Sequence, residues 1–257
     1  MIVGVPVLST LANMTNQELL NAACPLIGDL GAAFYFIPET LAAGKELGLG
    51  GMEFYVQGRA GQMGTTDPLA VAAAFGYFKP ALLKSVLDAA NAKVDPRTSG
   101  AAHMKACAEL SRAKLSNIPN LEGLVSILEK VNNAADPDGL ALYAAIRTET
   151  LAEDAAGRLL QLIAILREFR GSAHLVALRV AGLDSKTAHA AKRPDMWKQF
   201  GYTEEEMPEI TDAVKKAMAE AESYTDKLVE PAYAVLSEAE RVALVDGLKA
   251  VKAALAA

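Results

Sequence analysis

Apolar residues return at three- and four-residue intervals over Leu69–Leu87, Leu121–Val131, Leu140–Ile146, Leu159–Leu166 and Val242–Leu255, the spacing that lines one face of an α-helix. No comparable set of alternating apolar and polar positions occurs, so the pattern predicts an all-α chain, with room for a short extended piece at Met52–Gln57. Glycine and proline punctuate the rest. Gly44–Gly51, Gly58–Pro68, Asp95–Gly100, Asn117–Asn120 and Asp136–Gly139 read as turns or loops. Three helix starts carry a hydroxyl followed three residues later by a carboxylate: Thr15 with Glu18, Thr203 with Glu206, and Ser237 with Glu240. Each pair can satisfy free amides at a helix N-terminus, so these acidic residues read as caps rather than catalysts.

Two stretches share a layout of helix, sharp turn and helix: AVAAAFGYFKPALLKSVL from Ala70 and LVALRVAGLDSKTAHAAK from Leu175. In the first, Gly76-Tyr77-Phe78-Lys79 makes the turn and Pro80 suits the first position of the next helix. In the second, Gly182 precedes Leu183-Asp184-Ser185, a small-residue turn that lets one helix cross another steeply. Each follows an arginine-bearing segment, Gln57–Gly61 or Arg167–Gly171. The chain is therefore expected to hold an N-terminal helical half (1–100), connecting helices (101–139), and a C-terminal half with terminal helices (140–257). Identities between the halves are few, and pseudo-symmetry from duplication is left open.

With 257 residues, 52% of them hydrophobic, the chain can bury a substantial core. A formal charge of −6 argues against a broad basic face for nucleic acid. Cys24 and Cys107 stand far apart without metal-ligand spacing, which suits a reducing compartment. The N-terminus, MIVGVPVLSTLANMTNQELL, lacks a basic leader, and Arg167, Glu168 and Arg170 interrupt the best apolar run, so a cytoplasmic protein without a membrane span is expected.

Candidate chemistry collects at two places. Arg167-Glu168-Phe169-Arg170-Gly171-Ser172-Ala173-His174 forms a polar knot between apolar helical segments and reads as a junction of two helices. Glu39 follows the aromatic run Phe34–Pro38 and could pair with Arg59 in a buried structural contact. Arg59 could instead anchor an anion in a pocket walled by Phe36, Tyr55, Phe75, Tyr77 and Phe78, with Arg167, Arg170 and His174 nearby. Lys186, His189, Lys192 and Arg193 lie on or just after the helix that would read a DNA groove, although ordinary solvated charge accounts for them as well. The three histidines show no metal-ligand arrangement, and no phosphate-binding, dinucleotide or Gly-x-Ser-x-Gly motif is present, so no metal is expected and no cofactor is identified.

Ala33–Glu39 (AFYFIPE), Tyr55–Gly64, Phe75–Pro80 and Arg167–His174 stand in the order and spacing of a helix-turn-helix family, largely actinobacterial and of undefined biochemical role, which the chain resembles from about Gly31 to Asp184. Phe169 stands where that family has histidine, and Ser172-Ala173 where it has Asp-Gly. The family's winged-helix segment has no counterpart after Glu209, where ITDAVKKAMAEAESYTDKL continues as helix. The tail around Leu236–Leu244 is similar to terminal helices of multiple-antibiotic-resistance type regulators, which implies a homodimer and a ligand cavity. The expectation is a helical protein that binds a small apolar or anionic ligand, with nucleic acid less favoured. A ligand-responsive transcriptional regulator is the alternative, and an enzyme using Glu39, Arg59 and His174 a further one.

Overall fold

The computed structural model describes residues 14–256, so most of the N-terminal stretch read for a leader lies outside the described residues. Helix α1 (Asn16–Leu30) starts as its cap predicts: Thr15 Oγ1 accepts from the Glu18 amide at 3.2 Å and Glu18 Oε2 accepts from the Thr15 amide at 2.8 Å. It runs on through Pro25, whose ring lies on an exposed face of the helix. There follow α2 (Pro38–Glu46), α3 (Gly51–Ala60), α4 (Pro68–Phe75), α5 (Pro80–Asn91), α6 (Pro96–Leu115), α7 (Leu121–Ala134), α8 (Ala141–Ile146), α9 (Ala155–Val180), α10 (Ser185–Lys192), α11 (Asp212–Ala234) and α12 (Glu238–Ala256). No strand occurs among the described residues, and the fold is all-α.

Helix α9 is the axis of the molecule, with α1, α6, α7, α8 and α11 packed around it. Its residues Leu159 to Leu166 are all buried, which a helix surrounded on every side requires. Gln161 is the polar exception in that run, and its amide is paired at both ends: Nε2 donates to the Met104 carbonyl at 2.9 Å and Oε1 accepts from the Ala152 amide at 2.8 Å.

Three sequence expectations are corrected. Met52–Gln57 belongs to α3 rather than to an extended piece, and from Phe54 onward the helix buries one residue after another, packed on α5 and α6. Asp95–Gly100 is the start of α6, with Asp95 capping the Arg97 and Thr98 amides and Pro96 at the first helical position. Gly100 is there for closeness: a Cβ on Gly61 would stand 2.5 Å from the Gly100 Cα. Arg167–His174 lies within α9, not at a junction. Its Gly171 is exposed and costs a helix about 1 kcal/mol, which burial of both flanking stretches exceeds.

Both expected turns are present. Between α4 and α5 the chain reverses through Gly76 (φ 61°) and Tyr77 (φ 58°), and Gly76 packs against the tip of Leu175 of α9 in a left-handed conformation that suits glycine. Between α9 and α10 it turns through Gly182 (φ 79°), and Asp184 caps α10 by accepting from the Thr187 amide at 2.7 Å. The residues after α10 join the two turns. Phe200 stacks on Phe78 at 3.9 Å and on His189 at 4.0 Å, and its carbonyl accepts from the Lys79 amide at 2.9 Å.

Candidate functional site

Arg59 ends α3 buried, and its partner is Glu168 of α9, not Glu39. Nε and Nη2 donate to the two carboxylate oxygens at 3.1 and 2.7 Å, and Nη1 donates to the Tyr55 hydroxyl at 2.6 Å. Glu39 is exposed in the first turn of α2, where a carboxylate suits the helix dipole, and this removes it from any pair with Arg59. Glu168 also accepts from Arg167 Nη1 at 2.7 Å and from the Tyr35 hydroxyl at 2.9 Å. Aromatic faces complete the enclosure, with the Arg59 guanidinium 4.4 Å from the Phe75 ring centre and 5.0 Å from that of Tyr55.

The electrostatics follow from this crowding. Burial alone would raise the Glu168 carboxyl, yet the Arg59 and Arg167 guanidiniums outweigh it and hold it down at about 2. Glu168 is a fixed anion with its oxygens occupied, unsuited to proton transfer near neutrality. His103 of α6 lies fully buried beside this network, and burial together with Arg59 pushes it down to about 3. Neither of its ring nitrogens meets a partner among the described residues.

A cavity of about 650 Å³ opens on the network, and Tyr55, Arg59, Phe75, Phe78, Arg167 and Arg170 all border it, as does Tyr77. Phe36 and Glu39 are not in its wall; Phe36 is 53% exposed, its ring centre 5.0 Å from that of Tyr55. His174 borders a second cavity of about 240 Å³ instead. It is buried in the middle of α9, with Nδ1 2.8 Å from the Thr225 hydroxyl of α11, and burial with the nearby Arg170 holds its pKa below the ordinary value. Glu39, Arg59 and His174 thus belong to three separate places.

The residues weighed for DNA contact are engaged with the protein. His189 is buried and stacked on Phe200, Lys186 lies 5.5 Å from the Tyr202 ring centre, Lys192 pairs with Glu222 at 3.2 Å, and Arg193 with Asp195 at 3.0 Å. Of α10 itself, Lys192 is the exposed residue. Two participants escaped sequence reasoning. Glu168 was visible within the Arg167–Arg170 knot but not as the mate of Arg59; Glu222 of α11, which holds Arg170 at 2.7 Å, carried no local signal. Among the described residues no group of three or more histidine, cysteine or carboxylate side chains could hold a metal ion, and no helix is long and apolar enough to cross a membrane.

A model described as a helix-turn-helix family matches residues 21–257, a span that takes in both turns and the whole wall of the larger cavity. No curated protein and no solved structure matches the chain.

Proposed function

The chain belongs to this helix-turn-helix family, and from that premise we propose that it is a member that binds a small apolar or anionic molecule between its two turns. The observation that carries the reading is the larger cavity, because its wall joins the buried arginine and aromatic cluster to Leu175, Lys192 and Phe200, which belong to or brace the α9–α10 unit. A volume of about 650 Å³ is in the range of small-molecule pockets, and a wall that sets aromatic side chains (Tyr55, Phe75, Tyr77, Phe78, Phe200) beside several arginines and carboxylates fits an occupant with both an apolar and a charged part. Occupancy would then be felt directly by α10.

A ligand-responsive transcriptional regulator, dimeric as the tail's resemblance implies, is the second reading, favoured by the family match and the capped α9–α10 turn. Against groove reading in this conformation stands the engagement of the basic residues of α10, with His189 buried and Lys192 paired with Glu222. Native mass spectrometry of the protein purified from its host is expected to show a retained small molecule, and anisotropy with random duplex DNA at low salt is expected to show no binding. Steeply salt-dependent duplex binding would favour the regulator. An empty protein whose Trp197 emission and melting temperature stay constant across a library of apolar and anionic compounds would overturn ligand binding altogether.

A further inference from the structure

Glu222 of α11 holds two cations from two other helices: Arg170 Nη2 of α9 at 2.7 Å and Lys192 Nζ of α10 at 3.2 Å. All three side chains border the larger cavity. Lys192 borders the smaller cavity too, and so do Tyr77 and Phe200, so these three residues are the partition between the compartments. Tyr77 keeps that position with a left-handed backbone, φ 58°, an unfavourable conformation for a bulky side chain that the surrounding packing must maintain. Beyond the partition the smaller compartment is mainly apolar, formed by Ala188, Met196, Met218 and Phe200 with His174 and His189, and Arg193, paired with Asp195, stands at its edge. The His189 ring is buried and its Nε2 has no partner among the described residues.

We propose that the two compartments are one bipartite site, whose occupant carries a single anionic group that replaces Glu222 between Arg170 and Lys192, and a planar apolar body that lodges beside Tyr77, Phe200, Met196 and Met218. The existing carboxylate is the template for the exchange, since it already brings two cations from different helices to one point. Arg170 is the cation available for this, because Arg59 is committed through three nitrogens to Glu168 and Tyr55. Methionine and aromatic side chains adapt to a flat ring, and the free His189 nitrogen can meet a polar substituent on it. Exchange at this point breaks the ties of Glu222 to α9 and α10 at once, while the His174–Thr225 contact and Asp226, 3.7 Å from Arg170, keep α11 on α9, so the change falls on the α10 side and links binding to the position of α10.

This inference rests on the ligand-binding reading, and the experiment separates the two. The full chain is titrated calorimetrically at pH 7.5 with 1-naphthoate, with its neutral analogue 1-naphthalenemethanol, and with inorganic phosphate. Naphthoate is expected to bind roughly tenfold more tightly than the alcohol, the scale of one added charge-assisted hydrogen bond, and phosphate more weakly than either. Lys192→Met, at an exposed position, is expected to weaken naphthoate about three- to tenfold and leave the alcohol unmoved. Glu222→Gln removes the competing carboxylate and is expected to tighten naphthoate several-fold, again without effect on the alcohol. Met218→Trp fills the smaller compartment and is expected to abolish binding of both aromatic probes. Equal affinities for acid and alcohol, or naphthoate binding indifferent to Lys192→Met and Glu222→Gln, would overturn the exchange while leaving a ligand cavity in place. No heat with any probe would overturn the exchange, and the library screen and mass spectrometry then decide the ligand-binding reading beneath it.

Discussion

His103 gives the protein a pH dependence that a single substitution should remove. Its imidazole is packed among Phe34, Phe54 and Tyr35, with ring centres 4.6, 5.2 and 5.6 Å away, and the charged neighbours it faces are Arg59 and Glu168. Burial, then Arg59, lowers its pKa from 6.5 to about 3. Between those values the unfolded chain takes up a proton that the folded chain refuses, so stability falls as pH falls below 6.5. One pH unit is worth about 1.4 kcal/mol, hence ~2 kcal/mol from this residue by pH 5, a large share of ordinary domain stability. His174 and His189 are also held low, mainly by burial, and slope the same way. The comparison with His103→Leu isolates the one group. Near pH 7.5 the variant should lie within about 1 kcal/mol of the parent, because lost ring contacts offset relief of two unpaired nitrogens. Urea unfolding followed by circular dichroism at pH 5, 6, 7 and 8 should show the parent losing ~2 kcal/mol more than the variant at the acid end. Parallel curves for the two proteins would refute the reasoning.

Glu168→Gln leaves Arg59 buried without its counter-charge and should destabilise by about 3–5 kcal/mol at neutral pH, measured by the same unfolding assay. Because the Glu168 carboxyl sits at about 2 instead of 4.5, its stabilisation is complete above pH 4.5 and is lost as pH falls toward 2. The variant should lack that part of the acid limb, and a variant with the parent's acid limb would count against it. Gly61→Ala drives a methyl into the Gly100 backbone and should lower the melting temperature, with about 1–3 kcal/mol lost; an unchanged melting temperature would contradict so tight a crossing of α3 and α6. Phe200→Ala removes the ring between Phe78 and His189 and should destabilise by about 2–3 kcal/mol, with faster amide exchange centred on α10. Exchange that is faster only within α5 would point to a different brace.

The helices were legible wherever one chemistry decides them locally. The 3.6-residue pattern, the Thr15 and Ser237 caps, and the turns at Gly76 and Gly182 all follow from neighbours in sequence. The continuity of α9 was not, since Gly171 and Ser172 invite a break that only packing on α1, α6 and α11 overrides. The site was legible in part for the same reason. Tyr55, Phe75, Phe78, Arg59, Arg167 and Arg170 were chosen by residue type and do meet at one cavity. Pairing is another matter: Arg59 and Glu168 lie 109 positions apart, and Glu39 drew attention because it is nearer in sequence. Glu222 stands 30 positions from Lys192 and 52 from Arg170, and only the crossing of α9, α10 and α11 makes it their common partner.

Phe200 also sets a clock on opening. Lys198 and Gln199 are exposed, but Trp197 before them is buried and Phe200 after them is held between two rings. A trypsin cleft needs several extended residues on either side of the scissile bond, and this stretch can supply them only when both rings leave their seats. Cleavage after Lys198 therefore proceeds at the rate or population with which the two turns part. A bound molecule that braces Phe200 slows that cut, and one that releases α10 hastens it, so a protease reports on coupling between the turns without any label or substitution.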